Sequence, residues 1–163
     1  MATTKEWTVY LSGEIHTDWR EQIAAGIDAL GLPVRLVAPV TDHASSDECG
    51  VRILGTEDQP FWTDNKGAKV NAIRTRALIA SADIVVVRFG DKYKQWNAAF
   101  DAGYASALGK SIITLHDPSL THPLKEVDAA AMAVAQTPAQ ITQILDYVIN
   151  ARLPETQASR AAE

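Results

Sequence analysis

Asp101 lies in a run of small residues, Phe100-Asp101-Ala102-Gly103-Tyr104-Ala105-Ser106-Ala107-Leu108-Gly109-Lys110, that follows a strongly apolar stretch, Ile84-Val85-Val86-Val87. A carboxylate early in a helix is favoured in its charged form by the helix dipole. If it also faces a cleft, it can attack an electrophilic carbon such as the anomeric carbon of a sugar. The plainer role is an acid that completes a helix N-terminus or pairs with a lysine. Glu14 comes just after Gly13 at the end of another apolar run. It can orient a hydroxyl, act as a general acid, or bond the backbone amides of the next helix. His16 titrates near neutrality, or is simply a polar neighbour in the turn. Arg88 closes the Ile84–Val87 run, and an arginine there needs an anionic partner because burying it unpaired is costly. It is either a clamp for an anionic ligand or a structural pair with Asp91 or Asp101.

Around these residues stand further cations, Lys92, Lys94, Arg74 and Arg76, most of them expected on the solvated surface. Trp96, Tyr93, Phe61 and Trp62 offer rings that can stack on a planar base. For Trp96 and Phe100 the alternative is a staple between helix and core. Phe61-Trp62 suits a lid or a subunit contact. Asp42, His43, Asp47, Glu48 and Cys49 are metal-ligand types, but their spacing matches no zinc pattern. No metal is expected. The chain contains no G-x-G-x-x-G, no G-x-x-x-x-G-K-[ST], no G-x-S-x-G and no H-E-x-x-H. A nucleotide cofactor of the standard kinds is therefore not expected, and the cofactor expectation is none.

These side chains must be positioned by a scaffold that the sequence also describes. Trp7–Ser12 is β-branched and aromatic and reads as a first strand stopped by Gly13. Trp19–Leu30 has apolar residues at helical spacing, with Thr17 or Asp18 to cap it and Gly31 to end it. Pro33–Val37 reads as a second strand. Residues 38–66 read as a long, turn-rich loop of the kind that carries function. A helix is expected from about Gly67 to Ala80, with Val70, Ile73, Ala77 and Leu78 on its inner face. Ala82–Val87 reads as a central strand, Ser111–Leu115 as a fourth and Ala131–Ala135 as a short fifth, with a polar loop from His116 to about Lys125. Thr137-Pro138 opens the last helix. Strand–helix alternation implies a doubly wound five-stranded parallel sheet with helices on both faces, in the flavodoxin-like order 2-1-3-4-5. Its switch point lies between the first and third strands. That brings Gly13, Glu14, Arg88, Asp91 and Asp101 to one crevice.

The chain has 163 residues, 47% hydrophobic and 21% charged, with a net charge of −5. One domain is expected over residues 1–151, with a polar tail over 152–163. The acidic balance argues against a nucleic-acid polymer as partner. No run reaches the ~20 apolar residues that span a bilayer, and no secretory leader is seen. The single cysteine, Cys49, fits a reducing cytoplasm.

The run Phe100–Lys110 resembles the nucleoside 2-deoxyribosyltransferase family, in which Glu-x-Gly-x-Ala-x-x-x-Gly-Lys follows the third strand and the glutamate is the nucleophile. Tyr10-Leu11-Ser12-Gly13 resembles that family's first strand and turn. The stretch from Trp62 to Lys110, with Asn71–Arg76 and Lys92–Asn97 inside it, is most similar to the YtoQ group. The likeness runs from about Thr8 to Ile149. It implies Asp101 as nucleophile, Glu14 and Asp91 as acids beside it, and a substrate site drawn from Tyr10, Ser12, Gly13, His16, Arg20, Arg88, Gln95, Trp96 and Asn97. It also implies a small nucleoside or nucleotide as partner and a homodimer or larger assembly with a neighbouring subunit at each site. Two positions depart from the family pattern. Asp101 is one methylene shorter than glutamate, and Gln95 stands where an aspartate is frequent. Transfer or hydrolysis of an N-glycosidic bond is thus one expectation. A non-catalytic module that binds a nucleotide or sugar-nucleotide is the alternative. A metal-dependent hydrolase built on residues 42–49 is a third.

Overall fold

The computed structural model describes residues 5–92 and 95–155. Five parallel strands form one sheet in the order β2-β1-β3-β4-β5, as expected. They are β1 (Trp7–Gly13), β2 (Val34–Val37), β3 (Ile84–Arg88), β4 (Ser111–Leu115) and β5 (Ala133–Ala135). The helices are α1 (Trp19–Leu30), α2 (His43–Leu54), α3 (Pro60–Ser81), α4 (Trp96–Ala107), α5 (Lys125–Ala129) and α6 (Pro138–Asn150), with a single 3-10 turn at Pro118–Leu120.

Side chains alternate across the sheet, and both faces are covered. On one face Val9, Leu11, Val86, Ile113 and Leu115 pack with Trp19, Ile23 and Ile27 of α1 and Ile141 and Leu145 of α6. On the other, Tyr10, Val85, Val87 and Ile112 pack with Ala98, Ala102 and Ala105 of α4 and Ile79 of α3. Because α4 presents alanine to the sheet, its backbone lies close to β1 and β3. α6 opens with a capping box, Thr137 and Gln140 bonding reciprocally, and with proline in its first turn.

Residues 38–66 depart from expectation. They are not a long loop: they contain α2 and the first turns of α3, which begins at Pro60 rather than Gly67. Asp42 caps α2 by accepting from the Ser45 amide at 2.8 Å. The two helices meet at their glycines. A Cβ on Gly50 would lie 2.2 Å from the Gly67 nitrogen and 2.3 Å from the Lys66 carbonyl carbon. The expected inner face of α3 holds only in part: Leu78 packs against the core, while Ala77 is exposed. Ile73 is 75% exposed, and α3 buries only Gly67 and Ile79. Its N-terminal half packs on α2 through backbone contact, and its C-terminal half reaches the sheet. The expected polar loop after β4 holds the 3-10 turn and leads directly into α5. No helix among the described residues is long and apolar enough to cross a membrane.

Candidate functional site

A crevice of about 990 Å³ opens at the carboxyl ends of β1 and β3, at the topological switch point. Gly13 makes the geometry of that corner possible. It has φ +106°, and a Cβ there would lie 2.0 Å from the Arg88 carbonyl oxygen. Only glycine lets the chain leave β1 so close to the end of β3. The Glu14 amide then donates to the same Arg88 oxygen at 3.2 Å.

Ser12 and Asp101 meet across this corner. Ser12 is fully buried on the sheet face that α4 covers, and its hydroxyl donates to Asp101 Oδ2 at 2.6 Å. Asp101 lies in the second turn of α4, whose first residue is Trp96. The expectation that a helix start keeps this carboxylate charged is thereby corrected. Burial pushes the Asp101 carboxyl above its ordinary value, and the Ser12 hydrogen bond opposes only part of that rise. Tyr10 is completely buried beside it. Its phenol is pushed up to about 12, by burial first and then by the Asp101 charge, with Thr75, Arg20 and Arg74 pulling the other way. The Tyr10 hydroxyl makes no hydrogen bond of good geometry among the described residues.

Glu14 lines the crevice, but its carboxylate is engaged within its own loop. It accepts from the His16 amide and, at 2.5 Å, from the Thr17 hydroxyl. Burial would raise its pKa. The hydrogen bonds from Thr17 and His16 outweigh that and hold it below the usual carboxylate range. An acid held ionised in this way is poorly suited to giving up a proton. Arg20 is likewise committed. Its guanidinium donates to the carbonyls of Leu11, Gly13 and Glu14 and lies over the Trp19 ring. It braces the β1–α1 turn and is absent from the crevice lining.

Arg88 and Asp91 are not brought to the cavity wall either. Arg88 follows Val87 on β3 and so falls on the sheet face opposite Ser12 and Asp101. Its Nε is buried without a hydrogen-bond partner among the described residues, and its charge is felt by Asp117 after β4. Asp91 is solvent-exposed. Tyr93 and Lys94 lie outside the described residues.

Gln95, Trp96 and Asn97 line the mouth, as does His16. The Gln95 amide has a fixed orientation. Its Oε1 must be the atom that accepts the Gly90 amide at 2.9 Å, since the other end of the group can only donate. Its Nε2 is then a buried donor with no partner among the described residues. Trp96 is 76% exposed and Phe100 63% exposed, so neither staples α4 to the core.

The far wall is the part that pattern reading did not find. It comes from α2 and α3, through Ser46, Asp47, Asn71, Arg74, Thr75 and Arg76. Asn71 ties the helices together, its Nδ2 donating to the Ser46 carbonyl at 2.9 Å. His43 Nδ1 lies 2.9 Å from Asp47 Oδ2, one helical turn apart. Among the described residues no three His, Cys, Asp or Glu side chains converge on a metal site. The cap signals of Asp42 and Pro60 could have revealed this wall.

The family model for nucleoside 2-deoxyribosyltransferase YtoQ matches residues 10–149. The chain belongs to the YtoQ family. An uncharacterized YtoQ protein of Bacillus subtilis (strain 168) is 43% identical over 143 residues, covering 88% of this chain and 97% of that one. A solved structure of a 2-deoxyribosyltransferase from Bacillus psychrosaccharolyticus superposes with a TM-score of 0.50 at 15% identity. It covers 83% of this chain and 90% of that one. That likeness is one of fold. Within the YtoQ match lie Ser12, Asp101, Gln95 and the whole α2–α3 wall.

Proposed function

We propose that this YtoQ-family chain binds a nucleoside or nucleotide in the crevice and cleaves or exchanges its N-glycosidic bond through Asp101. The observation that carries this reading is the Ser12–Asp101 pair, a half-buried carboxylate held at 2.6 Å on the wall of a large crevice. In the ionised form one Asp101 oxygen stays bound to Ser12 and the other is available to attack C1′. The C1′–N bond breaks as the C1′–O bond forms, and the base leaves with the bonding electron pair and takes up a proton. Water then hydrolyses the glycosyl ester, or a second base displaces it. Ser12 positions the carboxylate, with Tyr10 buried behind it. Gly13 and Glu14 shape the turn, and Gln95, Trp96, Asn97 and His16 face the substrate. The Gln95 Nε2 suits an acceptor on the base, and Trp96 suits its ring face.

One observation favours the second reading, a binding module without turnover. Glu14 is held ionised within its loop, and Asp91 lies outside the crevice, so neither of these acids is ready to protonate a departing base. Incubation with 2′-deoxynucleosides and their 5′-monophosphates, with and without a second free base, separates the cases by chromatography. Free base means hydrolysis, and exchanged nucleoside means transfer. Asp101→Ala is expected to lower either rate by about a thousandfold. An unchanged rate in that variant refutes the nucleophile role. Binding without any product establishes the module.

The exposed rings of Trp96 and Phe100 on the crevice rim, with Phe61 and Trp62 at the start of α3, support a homodimer or larger assembly that covers the mouth. The single cysteine supports a cytoplasmic setting.

A further inference from the structure

We infer that the crevice selects a substrate carrying a phosphate, and that Arg74 of α3, assisted by Arg76, is its anchor. This rests on the nucleoside-binding reading above but concerns a different part of the cavity. The arginines expected to hold an anion are elsewhere: Arg20 donates to three backbone carbonyls, and Arg88 falls on the other sheet face. Arg74 and Arg76, by contrast, both line the crevice. Neither has a carboxylate within ion-pair distance among the described residues. Arg74 makes one long contact, 3.4 Å to the Ala38 carbonyl, and Arg76 lies 5.9 Å from the Tyr104 ring centre. A guanidinium on a cavity wall with no acidic partner is a poor structural investment and a good receptor for a dianion, which it can grip with paired hydrogen bonds, while Arg76, two positions along the same helix and so on a different face, adds positive charge rather than a second grip.

The placement fits a substrate spanning the cavity. Ser12 and Asp101 line the crevice from the sheet and α4, and Arg74 lines it from α3, so one molecule in the cavity can reach both. A sugar held at Asp101 leaves its phosphate to be met by the guanidinium on the α3 wall. The remaining carboxylates on the lining do not cancel this. Glu14 is bonded within its loop, and Asp47 on α2 and Asp64 near the start of α3 are both exposed to solvent, which screens them.

Calorimetry with the four 2′-deoxynucleoside 5′-monophosphates, against the matching nucleosides and inorganic phosphate, tests this in the full-length protein. The monophosphates are expected to bind roughly tenfold or more tightly than the nucleosides, as suits a charge-assisted pair. Arg74→Ala should abolish that difference, Arg74→Lys should restore part of it, and high salt should weaken it. Arg74 is exposed, so the variants should fold, and circular dichroism confirms it. Equal binding of both series, or a preference that survives Arg74→Ala, overturns the anchor. Arg74-dependent binding with no base released refutes turnover and leaves the anchor standing. Base release from nucleosides with no phosphate preference does the reverse. If none of the probes binds, both readings fall.

Discussion

Asp101 combines two demands that oppose each other. Held by Ser12 and half buried, it is well positioned, but burial raises its pKa and so makes its charged form costly. The consequence for stability has a definite sign. A carboxyl whose folded pKa lies above its unfolded value of about 3.8 is protonated more readily in the folded state. Its stabilising contribution is complete below that value and is lost as pH rises through the folded pKa. At neutral pH the ionised group therefore strains the fold. Asp101→Asn keeps an acceptor for Ser12 and removes the buried charge. We expect it to unfold at a higher temperature than the wild type at pH 7, the difference shrinking as the pH is lowered toward 3.8. A lower unfolding temperature at pH 7 would contradict this. A site that costs stability in this way is what a trade between activity and stability looks like at one residue.

At the scale of elements, the sheet and its switch point were legible because strands buried on both faces are continuous apolar runs, such as Ile84–Val87. The helices that touch the sheet were legible for the same reason. Trp19, Ile23 and Ile27 mark the buried stripe of α1. α2 and the first turns of α3 escaped because their contact is made by Gly50 and Gly67, and a helix that packs through glycine shows no apolar stripe. Ile73 misled for the complementary reason, being apolar yet 75% exposed. The site was legible in part. Gly13 and Asp101 were located by topology, while Arg20, Arg88 and Asp91 were misplaced because alternation and hydrogen bonding, not chain position, decide where a side chain ends up. The glycine contact carries its own prediction. Gly50→Ala puts a methyl group against the backbone of Lys66 and Gly67, which cannot yield as a side chain could. Destabilisation of about 1–3 kcal/mol in urea unfolding is expected, with substrate affinity falling as the wall shifts. An unchanged midpoint would mean that the helices separate freely.

For the whole molecule, the distribution of exposed rings is uneven. Trp96 and Phe100 project from α4, while Phe61 and Trp62 pack edge to face at 4.9 Å at the start of α3. Sedimentation is expected to give a dimer or larger species, and Trp96→Asp with Phe100→Asp is expected to shift it toward monomer. A wild type that sediments as a monomer at high concentration removes the assembly. The Ser12–Asp101 bond has a last consequence, for the order in which the molecule comes together. Its two ends stand 89 positions apart, on the interior strand β1 and on α4. The chain must therefore close a long loop, and seat its first strand between the second and third, before the carboxylate is held at all. The Ser12–Asp101 pair is thus a reporter of the completed sheet: a nascent chain, however helical, lacks it until its beginning has found its middle.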